Sequence, residues 1–389
     1  MEKKTVRIST VKSNKKKWWS EWLVSDPFDM SFFILVLIVL SVGLIMLFSA
    51  SYAYAWYDQG DSFFYIKRQA FFAIIGLIAM LVISKIDYQK IKKFALPIYG
   101  VAAFLLILVL FVGAGDGVEK RWIYVGFNLQ PSEIAKLAVI IMLALFLSSN
   151  HKYLKQPVRG IVMPLIIIGI PAGLILLEPH LSGTILVLAV GVCMMIVAGC
   201  NLGWIGGLSA GGAAGLTAVA IATPYMKSRI DVFLNPGSDP QGAGYQILQS
   251  LYAIGSGGLF GLGFGKSRQK YLYLPFQYND YIFAICCEEL GLVGAMAIVA
   301  LFAAAILRGY WIALHARDRF STVLCAGLVT LIAVQTILNL CVVTNLLPST
   351  GIALPFFSYG GTALAVNLGE MGIVLSISRH RNQRKIQEE

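Results

Sequence analysis

The chain has 389 residues, 58% of them apolar and only 13% charged, with a mean hydropathy of +0.75. That charged content is about half the roughly 25% typical of soluble domains, which excludes an ordinary soluble enzyme. Apolar runs long enough to cross about 30 Å of hydrocarbon recur along the whole length, so the expected class is an all-α polytopic membrane protein.

Residues 1–29 form a basic tail, too long and too polar for the n-region of a signal peptide, and no A-x-A-like site follows the first apolar run. The tail is expected in the cytoplasm. Its Lys15, Lys16 and Lys17, beside Trp18, Trp19 and Trp22, suit a short interfacial helix against anionic lipid. Ten spans are predicted, at 30–52, 69–86, 95–114, 133–149, 158–177, 183–199, 202–223, 281–307, 321–343 and 357–378. They make up a membrane domain over 30–378, with a large extracytoplasmic loop at 224–280 between helices 7 and 8 and a cytoplasmic tail at 379–389. With both termini inside (N-in/C-in), 21 Lys and Arg fall on inner segments and nine on outer ones, as the positive-inside rule requires. Five of the nine outer cations cluster in the loop before Asp280. The six cysteines all fall in or at the ends of apolar segments without C-x-x-C spacing, so they read as small apolar filler, with no disulfide framework or zinc site.

Along the outer side, the first loop (Tyr52–Arg68) is aromatic-rich and reads as an interfacial belt. The second, GDGVEKRWIYVGFNLQPSEIAK, places Pro131 in a first helical turn with Ser132 as a candidate cap. Glu133 and Lys136 then share one helix face, either as a buried ion pair or as groups facing a polar cavity. Glu178, Pro179 and His180 form the next turn, where an acid–base pair competes with an ordinary turn of satisfied polar groups.

The stretch from Tyr225 to Gly291 organises the rest. In GYQILQSLYAIGSGG, Gln246, Gln249, Ser250 and Ala253 form one stripe and Ile247, Leu248, Leu251 and Ile254 another, the pattern of a helix along an interface. GSGGLFGLGFGKSRQK fits neither phosphate-loop pattern: Phe260 stands where a Walker A glycine belongs, and Lys266 and Arg268 where G-x-G-x-x-G needs its third. It is expected to present exposed backbone N–H groups beside Lys266, Arg268 and Lys270, suited to pyrophosphate at a membrane surface. Asp280, at the head of the eighth span, is either a helix N-cap or a general base of raised pKa. In the last outer segment, Pro348, Gly351 and Pro355 precede Ser358-Tyr359-Gly360-Gly361-Thr362. This is broken-helix backbone of the kind tolerated only beside a cavity, so its hydroxyls and amides are candidate substrate contacts.

The segment NLLPSTGIALPFFSYGGTALAVNLGEMGIVLSISR closely resembles the C-terminal signature of the SEDS proteins, the FtsW/RodA/SpoVE family of peptidoglycan glycosyltransferases. RWIYVGFNLQPSEIAK, GYQILQSLYAIGSGGLFGLGFGKS and NDYIFAICCEELG resemble its other motifs, in order, so the match spans nearly all of the chain after the tail. The resemblance implies a ten-span fold and a specific reaction. Lipid II would be polymerised into glycan at the outer face of the cytoplasmic membrane, releasing undecaprenyl pyrophosphate with inversion, with Asp280 taking the proton of the acceptor hydroxyl. Charge neutralisation would come from Lys266, Arg268, Lys270, Lys120 and Arg121, or from a divalent cation (Mg or Mn), with no tightly bound cofactor. Glu133 and Lys136 match polar residues of the family's fourth span, and Gln246 lies in a matching motif. Implied partners are the undecaprenyl-linked nascent glycan, a class B penicillin-binding protein and other divisome membrane proteins; no nucleic acid is expected.

Two departures stand out. EPHLSG carries His180 where the family turn has an acid, and LPFQYND carries Phe276 and Asn279 where LPEAHTD has an acid and a hydroxyl. SRQKYLYLP resembles the division-type branch, with a sporulation paralogue close behind. A lipid II flippase and a non-catalytic scaffold activating a transpeptidase are the rival readings.

Overall fold

The computed structural model describes residues 26–113, 121–124, 126–178, 180–222, 224–242 and 244–380, with backbone alone at 209, 213, 214, 216–222 and 224–228. The helices run α1 (Met30–Gln59), α2 (Phe64–Lys85), α3 (Tyr88–Val112), α4 (Pro131–Ser149), α5 (Met163–Leu177) and α6 (Leu181–Ala198). They continue with α7 (Leu202–Ala222), α8 (Pro224–Leu234), α9 (Tyr245–Gly257), α10 (Ile282–Leu314), α11 (Arg319–Val343) and α12 (Gly361–Arg379). A small antiparallel hairpin, β1 (Ile123–Tyr124) and β2 (Asn128–Leu129), precedes α4.

Among the described residues, nine helices are long and apolar enough to cross a membrane: α1 to α6 and α10 to α12, α5 being lengthened by the π-helical turn Val158–Val162. α7, 21 residues long, occupies the place of the expected seventh span. Each expected span lies wholly or mostly on one of these ten helices, but α1 and α10 end about two turns later than expected, α3 begins about two turns earlier, and α12 starts only at Gly361. The end of α1 is polar and aromatic, yet it stays helical because Tyr54 packs on Tyr278, with ring centroids 5.1 Å apart, and Tyr52 on Tyr271. Residues 1–25 of the basic tail with its lysine–tryptophan element, residues 381–389 and Pro179 lie outside the described residues.

α11 and α12 are mostly buried and form the centre, while α2, α3 and α10 show long faces to the surroundings. α12 lies along α2 because small residues let the backbones meet. A Cβ on Gly372 would sit 2.7 Å from the Met80 carbonyl oxygen, and one on Gly76 2.6 Å from a Leu368 methyl. At the end of the bundle away from Asp280, Asp29, Asp87 and Asp318 each cap a helix, α1, α3 and α11 respectively.

Candidate active site

Asp280 closes the loop that leads from α9 into α10, and its position is over-determined. Ser358 Oγ donates to the Asn279 carbonyl at 2.7 Å, and the Tyr359 N–H to that of Tyr278 at 2.9 Å. From α11, Asn339 Nδ2 donates to the Asp280 carbonyl at 2.7 Å and to that of Ile352 at 2.6 Å. Tyr65 stacks on Tyr278 at 4.6 Å, so part of the aromatic-rich first loop braces the site rather than forming a membrane belt.

The carboxylate of Asp280 does not cap α10. Tyr281 is the N-cap, with no side-chain cap bond, and the Asp280 side chain makes no hydrogen bond or ion pair among the described residues. It faces Gly351, where a Cβ would stand 3.2 Å from Oδ2 and where φ is +67°, a left-handed conformation that favours glycine. Burial pushes its pKa up to about 6, with Arg229 and then Arg121 opposing the rise. An uncommitted carboxylate titrating just below neutrality beside two guanidinium groups is equipped to accept a proton next to an anionic ligand.

The candidate cations separate into groups. Lys266 and Arg268 are exposed. Lys270 is 0% exposed and sits 2.8 Å from Glu289, whose oxygens also take the Ser49 hydroxyl at 2.6 and 2.8 Å. Its charge is committed to that buried pair, which corrects the expectation that it meets substrate. Glu288 in turn accepts the N–H of Arg268 at 3.0 Å, that of Gln269 at 3.3 Å and the Ser267 hydroxyl, and so pins the basic turn to α10. Arg121 Nε donates to the Glu178 carbonyl at 3.4 Å. Lys120 lies outside the described residues.

The glycine-dense segment is not an open cradle. Leu262 N–H and Gly263 N–H donate to the carbonyls of Glu288 and Glu289, at 2.9 and 3.0 Å, and Leu292 and Val293 donate back to Gly258 and Leu259. This exchange fills a break in α10 at Gly291, where φ is +68°. A Cβ on Gly257 would lie 2.1 Å from the Cys287 oxygen, and one on Gly261 2.1 Å from that of Glu289. The glycines therefore serve backbone contact, and those amides are unavailable to a phosphate. α9 follows the same logic: Ser250, Ala253 and Gly257 face the bundle, with the Ser250 hydroxyl on the Val343 carbonyl at 2.9 Å. Gln246 Nε2 donates to the Pro275 carbonyl at 3.2 Å, supporting the loop.

The Ser358–Thr362 run is brought beside Asp280, but mainly as scaffolding. Gln69 of α2 takes the Gly360 N–H and donates to the Ser358 carbonyl, both at 3.1 Å, and Thr362 donates to the Asn128 carbonyl at 3.2 Å. The Phe72 ring occupies the space beside Gly361, where a Cβ would meet it at 2.2 Å. On α4, Glu133 and Lys136 pair at 2.8 Å, buried. Gln130 rather than Ser132 is the N-cap there; Ser132 falls inside the first turn and its hydroxyl makes no hydrogen bond. Glu370 of α12 faces this pair, is buried, and has neither carboxylate oxygen hydrogen-bonded.

Glu178 and His180 stand between the two groups. Burial pushes Glu178 up to about 8, against the pull of Arg121. Burial, then Arg121 and Lys136, push His180 down to about 3. Both are uncharged at neutral pH, so neither cancels the positive field of Arg121. Sequence reasoning missed Arg229, Asn339 and Glu370 as parts of the site. A lone carboxylate in the middle of a span marks Glu370, because such groups are costly in lipid. Arg229 and Asn339 carry no comparable signal. Among the described residues, no cluster of three or more His, Cys, Asp or Glu fits a metal ion. Among the described residues, the charged groups acting on the Asp280 carboxylate are the guanidinium groups of Arg229 and Arg121, which do not ligate a divalent cation.

Residues 29–383 match the family model FtsW/RodA/SpoVE, described as "Cell cycle protein". The chain is 44% identical over 358 residues to stage V sporulation protein E of Bacillus subtilis, covering 90% of this chain and 97% of that protein. It is 37% identical over 354 residues to the probable peptidoglycan glycosyltransferase FtsW of Trichlorobacter lovleyi, covering 90% and 93%. Among solved structures, a chain from work on the structural coordination of polymerization and crosslinking by a peptidoglycan synthase complex superposes with a TM-score of 0.76, at 27% identity over 92% of this chain and 99% of that one. The rod shape determining protein RodA of Thermus thermophilus superposes with a TM-score of 0.67, at 26% identity over 91% and 97%.

Proposed function

As the chain belongs to the FtsW/RodA/SpoVE family, we propose that it is a peptidoglycan glycosyltransferase that polymerises lipid II at the outer face of the cytoplasmic membrane, with Asp280 as general base. The observation that carries the assignment of the base is a carboxylate that, among the described residues, is left without a cap bond or ion pair, raised to about 6, in a loop otherwise fixed through its backbone.

In this reading the acceptor sugar places a hydroxyl at Asp280, which takes its proton as the oxygen attacks the anomeric carbon of the donor from the face opposite the pyrophosphate. The new glycosidic C–O bond forms as the bond to pyrophosphate breaks, and undecaprenyl pyrophosphate departs with the electron pair. Because pyrophosphate leaves as a stable anion, no general acid is needed. Positive charge suffices, supplied by Arg229 and Arg121 close to Asp280 and by Lys266 and Arg268 at the exposed turn. No step is routed through a divalent cation; one that escorts pyrophosphate would arrive with the substrate. Asp280, Glu133 and the N-terminus of α12 lie at one end of the bundle, and the cation distribution supports reading that end as extracytoplasmic, N-in/C-in with ten spans.

The proposed partner is a class B penicillin-binding protein, supported by the likeness to the chain from a peptidoglycan synthase complex, and the proposed setting is the division septum. The greater identity to the sporulation protein than to FtsW, 44% against 37%, favours a sporulation role as the second reading.

The test is glycan formation from lipid II by purified protein with its penicillin-binding partner, with and without a divalent cation. Asp280→Asn, near-isosteric but unable to take the proton, is expected to lose about 10²–10⁴-fold in rate while still eluting as a folded species. Equal polymer from both proteins would remove Asp280 from the chemistry. No polymer from either would favour a flippase or a scaffold.

A further inference from the structure

Two polar clasps join α1 to α10 and set a ruler on the membrane. At the end away from Asp280, Arg308 donates to both carboxylate oxygens of Asp29, at 3.0 and 2.7 Å. At the near end, the Ser49 hydroxyl and Lys270 Nζ meet the Glu289 carboxylate. Twenty residues of α1 separate the clasps, about 30 Å at the α-helical rise, which is the thickness of a bilayer's hydrocarbon core, and nineteen residues of α10, broken at Gly291, cover the same interval. Between the clasps neither helix carries an Asp, Glu, Lys or Arg, and the outward residues are mostly apolar, among them Ile38, Ile45, Leu292 and Met296, while the exposed Ser41 hydroxyl is spent on the Leu37 carbonyl. Ser49 and Glu289 therefore mark the hydrocarbon boundary on the Asp280 side.

Gly258 and Leu259 lie beyond that boundary, on its lipid side. Their carbonyls accept from Leu292 and Val293, three and four residues past Glu289 toward the membrane centre and beyond the break at Gly291. Gly258 and Gly261, with φ of +54° and +77°, turn the chain down to this level and back. At the tip between them Leu259 is 61% exposed and Phe260 81%. Such exposure of a large apolar pair is unfavourable in water and favourable among acyl chains. Lys266 and Arg268 follow on the returning chain, where the anionic headgroups of a leaflet would meet them. α10 begins seven residues outward of Glu289, about 10 Å, which sets Asp280 at headgroup height.

We infer that Leu259 and Phe260 form a wedge inserted among the acyl chains of the leaflet on the Asp280 side, docking the catalytic loop on the lipid surface. The wedge holds Asp280 at a fixed height above the hydrocarbon. It rests on the membrane-spanning architecture and not on the polymerase reading, so its test requires no turnover.

The test is depth-dependent spin-label accessibility in phosphatidylethanolamine–phosphatidylglycerol vesicles, with the signal of the labelled unsubstituted chain subtracted. Labels go on Phe260→Cys and Leu259→Cys, whose parent side chains are largely exposed, with Met296→Cys as the hydrocarbon reference and Lys266→Cys as the aqueous one. The expected result is that 259 and 260 behave like 296, colliding with oxygen in preference to a water-soluble nickel chelate, while 266 shows the reverse. Chelate access at 259 and 260 equal to that at 266 would overturn the wedge, because the loop would then ride above the membrane. Shielding of both positions from oxygen and chelate alike would overturn it too, since protein and not lipid would then cover the tip.

Discussion

A single carboxylate owes its proposed role to what its neighbours decline to do. Asp280 is held by its backbone, through Asn339, while Tyr281 takes the cap position, so the side chain keeps its lone pairs for substrate. The raised Glu178 and the neutral His180 extend the same idea, because neither adds a charge beside Arg121 at pH 7. Glu178→Gln, which mimics the protonated acid, is expected to polymerise at close to the wild-type rate at pH 7. The two proteins should diverge above about pH 8, where Glu178 ionises, draws on Arg121 and slows the wild type alone. A glycan assay at pH 7 and pH 9 checks this. The carboxylate itself was legible in the sequence as the polar residue before a span; its freedom from capping was not, because that depends on the backbone angles of Tyr281.

At the scale of elements, the loop between α9 and α10 is built by contacts between residues far apart in the chain. Six glycines beside three cations look locally like an anion cradle, but Gly257, Gly261 and the Leu262–Gly263 amides lie against the carbonyls of Cys287, Glu288 and Glu289, which only the folded chain brings near. Gly257→Val is therefore expected to displace α9 from α10 and lower the apparent melting temperature in detergent, whereas Gly255→Val, at a site with nothing within 4 Å, should leave it nearly unchanged. Lys270 and Lys266 are likewise indistinguishable by composition and opposite in role. Removing one member of the buried pair, as in Lys270→Met, is expected to cost about 3–5 kcal/mol because an uncompensated charge stays inside. Lys270→Met with Glu289→Leu should recover part of that in thermal unfolding, while Lys266→Met should affect polymer yield and not stability.

The whole bundle was the most legible level, since a span is written locally as length and hydropathy; every expected span falls on a helix. The overrun of α1 was not, because tyrosine packing rather than apolar sequence sustains it. Which residues converge at one end of the bundle also lay beyond the sequence. Arg229 comes from α8, Arg121 from the chain just before the hairpin, Gly351 from the broken segment, and they meet around Asp280 only when the bundle closes.

That convergence is tested most directly by the pH dependence of polymerisation under saturating lipid II, for wild type and Arg229→Gln. A base must be ionised, so activity should rise with pH through an acid limb near 6. Removing the guanidinium that favours the ionised form should move that limb to higher pH in Arg229→Gln. An acid limb that stays in place in the variant, or a rate that does not change across pH 5 to about 8 in the wild type, would contradict Asp280 as the general base.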